Sequence, residues 1–155
     1  MWAVSSSLRR SSYSFSFSSH RVTEMGRGFQ LSREEFEEIA QRAFDSLPES
    51  ITHEIDNVHI VVEDYPPEHA TRGRDQDKRS LLGLYEGVPL THRGTWYGAS
   101  PTPPDKISLY KRNIESVCRS RAEIERRITE VLFHEIGHHF GMSEDEVRAA
   151  LKDYL

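Results

Sequence analysis

Residues 121–140 constrain this chain more than any other stretch. Ile124, Ile128, Val131, Leu132 and Ile136 recur there at three- and four-residue spacing. That period predicts one long helix with an apolar face, and Gly141 is placed to end it in a left-handed conformation. Charge interrupts the stripe. Glu135 falls inside the apolar arc, with His134 and His138 at its borders. An isolated carboxylate in a buried stripe costs several kcal/mol unless something compensates it. The helix must therefore pack its stripe against other elements while housing a polar centre at the edge of the core.

The polar residues themselves say what that centre is. His134-Glu135-Ile136-Gly137-His138 has the form HExxH. Residues four apart on a helix lie one above the other, so two imidazoles can converge on one tetrahedral metal ion. Glu135, adjacent to the first imidazole, can reach a water on the metal rather than the metal itself. Zinc lowers the pKa of such a water towards ~7, where a carboxylate can take its proton. By composition alone the five-residue pattern would arise in roughly four of a hundred such chains, so its place inside the stripe matters more than its spelling.

Catalytic zinc takes three protein ligands and keeps a fourth position open. The sequence continues to HExxHxxGxxE, which makes Glu144 the third-ligand candidate, reached after the chain turns back at Gly141. Asp145 and a residue from elsewhere, such as His92, are the alternatives. Acids also favour the first turn of a helix whatever the metal does, so position alone leaves the choice open. His139 lies within the apolar arc and reads as a core histidine. Cys118 reads as an ordinary buried thiol. Tyr85, Tyr97 and Tyr110 read as packing aromatics, any one of which could serve as a hydrogen-bond donor to a transition state.

Around this helix the chain organises as one small domain. Ser32 and Glu35 form a capping box ahead of Phe36, Ile39, Ala40, Ala43, Phe44 and Leu47, and Pro48 ends that helical run. Residues 57–63 (NVHIVVE) read as a strand, 81–85 as a second and 107–110 as a third. Residues 68–80 read as an exposed loop, and the glycines and prolines of 86–104 forbid a long regular element. Ser143 and Glu146 form another capping box, opening a final helix through about Lys152.

Residues 1–26 differ in composition from everything after them. The first 24 hold nine serines and three arginines, with no acid before Glu24. The reading is a disordered leader outside the fold, or translated sequence upstream of a start at Met25, with a mitochondrial transit peptide as a further possibility. The domain then spans residues 27–155.

Charge and cysteine content exclude several classes. Residues 1–25 carry a net +2; with the whole chain at −5, the remaining 130 residues carry −7 and would repel a phosphate backbone. No apolar run reaches the ~20 residues that span a bilayer. One cysteine among 155 residues rules out an internal disulfide and any multi-cysteine zinc site, and suits a reducing compartment.

Four blocks in order, 58–64 (VHIVVED), 81–94 (LLGLYEGVPLTHRG), 105–111 (DKISLYK) and 134–141 (HEIGHHFG), resemble the small zincin-like metallopeptidases of bacteria. The resemblance runs from about Leu31 to Val147. It implies a minimal zincin core of class α+β: a small mixed sheet of about three strands on an active-site helix, with helices at both ends. It also implies a zinc metallopeptidase with His134, His138 and position 144 as ligands and Glu135 as general base. This chain has Glu144 where the family usually shows Asp. The expectation is a cytoplasmic, monomeric zinc-dependent peptidase acting on peptides or proteins, with no nucleic-acid or membrane partner. The alternative is a zinc-stabilised binding module that never turns over.

Overall fold

The computed structural model describes residues 10–14, 29–47, 49–52, 55, 57–72, 77–88 and 104–154. In chain order the elements are β1 (Arg10–Ser14), α1 (Arg33–Asp45), α2 (Glu49–Thr52), β2 (Val58–Glu63), α3 (Glu68–Thr71), β3 (Leu81–Glu86), β4 (Asp105–Tyr110), α4 (Lys111–Ser116), α5 (Arg121–His139) and α6 (Glu144–Tyr154). Among the described residues, no helix is long and apolar enough to cross a membrane.

Local chemistry sets the helix ends. Glu35 donates its amide to Ser32 Oγ at 3.1 Å and its carboxylate accepts from the Ser32 amide at 2.9 Å. The same reciprocal pair joins Ser143 and Glu146 ahead of α6. At the end of α5, Gly141 takes φ 76°, and its amide donates to His138 O while the Met142 amide donates to Gly137 O. Those two bonds satisfy carbonyls that the helix leaves without partners, and only glycine takes that backbone angle without strain.

The sheet has the order β1-β3-β4-β2 and is mixed: β3 runs antiparallel to both neighbours, and β2 parallel to β4. Alternation along the strands puts Gly83, Tyr85, Ile107 and Leu109 on one face. That face meets Val131 of α5, where a Cβ built on Gly83 would stand 2.5 Å from Val131 Cγ1. The main core joins Phe36, Ile39, Ala40, Val62, Ile107, Leu109, Ile124, Ile128, Leu132 and Ile136, all buried between the sheet, α1 and α5. Ala70, Leu81, Leu84 and Tyr110 form a smaller buried cluster. The α+β class, the mixed sheet and the terminal helices expected from the sequence are all present.

Three local readings change. Residues 68–80 do not form loop throughout, because Glu68–Thr71 makes one helical turn that buries Ala70. Lys111–Ser116 adds a short helix with no side-chain cap, held by an ion pair one turn apart. Lys111 Nζ lies 2.6 Å from Glu115 Oε1, both side chains are buried, and the Leu31 amide donates to the same oxygen. An unpaired ammonium there would cost several kcal/mol, so Glu115 neutralises it and ties α4 to the entry of α1.

The third change concerns the leader. The sequence reading sets residues 1–26 outside the fold; the structure places Arg10–Ser14 in the sheet, antiparallel to β3. An edge strand pairs through its backbone, so it needs no alternating apolar pattern to announce it. The other residues of that segment lie outside the described residues.

Candidate metal centre

The last turns of α5 and the first turn of α6 build the site. His134 and His138 project from one side of α5, with Nε2 atoms 3.0 Å apart. The left-handed turn at Gly141 reverses the chain, and α6 then begins with Glu144. Glu144 Oε1 lies 3.1 Å from His138 Nε2, and Oε2 lies 3.4 Å from His134 Nε2. These three residues form the one group among the described residues in which three potential metal-ligating atoms converge. Asp145 is exposed and is not part of it; His92 and Tyr97 lie outside the described residues.

The spacing fits a metal. Two atoms bound at ~2.0–2.1 Å to a tetrahedral zinc stand about 3.3 Å apart; the two imidazole nitrogens are 3.0 Å apart, and each has a Glu144 oxygen, a different one for each ring, at 3.1–3.4 Å. The donor set, two imidazoles and a carboxylate, is one that zinc accepts. Burial pushes the His134 imidazole down to about 4, against the opposing pull of Glu144. At neutral pH the ring is therefore uncharged, the form in which imidazole binds metal. His134 is buried, while the Glu144 side chain is 49% exposed, so the group opens to solvent on the α6 side.

Glu135 is fully buried, and the Tyr85 amide of β3 donates to its Oε2 at 2.8 Å. Part of the compensation that a buried carboxylate needs thus comes from a strand amide, as well as from any cation beside it. Gly83 serves the same contact. A Cβ at that position would meet Glu135 Cγ at 3.5 Å and the Ser108 carbonyl at 3.2 Å, beyond the clash with Val131.

Gly137, inside the motif, acts on the third donor. A Cβ there would stand 2.6 Å from Val147 Cγ2 of α6. The glycine lets α6 approach α5 closely, and that approach brings Glu144 to the histidines. Gly137→Ala should push α6 outward, costing about 1–3 kcal/mol of stability through overpacking. Affinity for zinc should fall roughly 10–100-fold, as when the groups orienting metal ligands are disturbed. Urea unfolding and a competition titration with a chromophoric chelator measure the two effects.

Behind the centre, His139 is buried as expected, with a polar network that the sequence did not reveal. Its Nδ1 lies 3.1 Å from both Asp105 Oδ2 and Tyr85 Oη, and the Tyr85 hydroxyl donates to Asp105 Oδ2 at 3.0 Å. Three buried residues from β3, β4 and α5 thereby lock the end of the site helix to the sheet. Tyr85 spends its hydroxyl in this network, and Tyr110 is buried in the smaller apolar cluster. Cys118 is a buried thiol whose pKa burial raises.

A family model described as zincin-like metallopeptidase matches residues 55–152. Among solved structures, a conserved hypothetical protein from Thermo thermophilus is similar, at 25% identity and a TM-score of 0.47. That alignment covers 71% of this chain and 94% of the other. No curated protein matches.

Proposed function

We propose that this chain, which belongs to the zincin-like metallopeptidase family, is a zinc-dependent peptidase. In this reading His134, His138 and Glu144 hold the metal and Glu135 is the general base. The observation that carries it is the convergence of two imidazole nitrogens and the Glu144 carboxylate, whose nearer oxygen lies 3.1–3.4 Å from each ring, beside the fully buried Glu135. A zinc ion held there supplies Lewis acidity, polarising a scissile carbonyl and acidifying water.

The chain's own residues do the rest. Glu135, fixed by the Tyr85 amide, would take a proton from the attacking water on its carboxylate and return it to the leaving amine. Its burial raises the value of each charge it faces, because little water screens it. An extended peptide would dock by adding a strand at a sheet edge beside the cleft, a mode that accepts variable sequences. The partner is thus a peptide or protein segment. A cytoplasmic monomer is part of the same proposal, and the single, buried cysteine suits a reducing compartment.

The half-exposed Glu144 favours an enzyme over a zinc-stabilised binding module, since structural zinc sites close with four protein ligands. The test is hydrolysis of a peptide library by the zinc-loaded protein. Cleavage should vanish with a chelator and return with zinc. A protein that zinc stabilises against heat but that cleaves nothing would support the binding module instead.

A further inference from the structure

We propose that Arg10–Ser14 occupies the peptide-binding edge of β3 as a built-in competitor, so that an extended substrate must displace the chain's own strand. The inference rests on the peptidase reading above and adds an occupant to its docking edge.

Without β1, the remaining sheet would end on β2 at one side and β3 at the other. At the β2 edge, Arg33 of α1 already takes the Val62 carbonyl. The β3 edge borders the site. Gly83 packs its backbone against Val131 and Glu135, and the Tyr85 amide holds the Glu135 carboxylate. In the register of the pair, Tyr13 stands opposite Gly83 and Ser11 opposite Tyr85. Residues 11–13 therefore run alongside the part of β3 that touches the candidate base, antiparallel to it, as an added peptide strand would run.

Such pairing is made by backbone groups, so the edge that accepts residues 10–14 accepts other extended chains as well. The strand is also short. It spans five residues, and its register already shifts between Tyr13 and Ser14. Short pairing of that kind is weak, but tethering supplies an effective concentration in the ~mM range, enough to compete with a dilute peptide. The strand then sets a threshold for substrate without forming part of the catalytic group.

The experiment uses the full chain, zinc-loaded, with Ser11→Pro/Ser12→Pro. Proline has no N–H to give to a ladder, and of two adjacent residues one faces β3, so the pair of changes breaks the strand in either orientation. For a fluorogenic peptide library KM should fall roughly 3–10-fold with kcat unchanged, as expected when a tethered competitor is removed. Amides of Leu81–Glu86 should exchange faster with deuterium, and a synthetic peptide of residues 8–16 should slow them again. Unchanged KM in an active protein overturns the proposal. So does a collapse of the melting temperature, which would make β1 integral to the fold. If neither protein cleaves, the peptidase reading fails separately and exchange decides: unaltered protection overturns the proposal, while faster exchange restored by the peptide supports it.

Discussion

Glu135→Gln should lower peptide hydrolysis roughly 10²–10⁴-fold while leaving metal content intact, the usual effect of losing a positioned general base. The exchange keeps side-chain volume, and the amide oxygen of glutamine can still accept from the Tyr85 amide that now bonds Glu135 Oε2 at 2.8 Å. The side chain therefore stays in place and the donors at 134, 138 and 144 are untouched. What disappears is the capacity to take a proton. Removing a buried charge relieves a desolvation cost, so the variant should fold at least as stably as the parent. The measurement is kcat/KM for a cleaved library peptide, with zinc determined on the same preparation. Equal cleavage by parent and variant would mean that Glu135 is not the base, and the zinc-stabilised binding module would become the better account.

The parts of this molecule that are written locally were legible in the sequence. Ser32–Glu35, Ser143–Glu146 and the left-handed Gly141 each act within one turn, and the structure shows all three. The stripe from Ile124 to Ile136 is local in the same sense, and it places His134, Glu135 and His138 without any tertiary contact. Glu144 was legible only as a candidate, because its reach depends on how α6 approaches α5. Gly137 fills an unspecified position of HExxH, and its role appears only where Val147 packs against it.

Other contacts join residues that sequence reading treats independently. The Tyr85 amide and Glu135 are 50 residues apart, and Tyr85 and His139 are 54 apart. The resemblance to known blocks located Tyr85 and Asp105 but said nothing of the buried network they share. Arg10–Ser14 is not legible as a strand for a different reason. Its serines carry no apolar alternation, and backbone pairing at an edge requires none. The short helix Lys111–Ser116 rests on a buried ion pair rather than on capping signals.

The central claim is that His134, His138 and Glu144 hold a metal ion, and metal content tests it most directly. Both imidazoles present Nε2 to the same point, and burial keeps His134 uncharged at neutral pH. Removing both rings leaves one half-exposed carboxylate, which cannot hold zinc against buffer. Elemental analysis after loading and gel filtration should find about one zinc per chain in the parent, as a single three-ligand site requires. His134→Ala/His138→Ala should hold close to none, with the rest of the domain folded by circular dichroism. Stoichiometric zinc retained by the double variant, or none bound by the folded parent, would contradict the assignment.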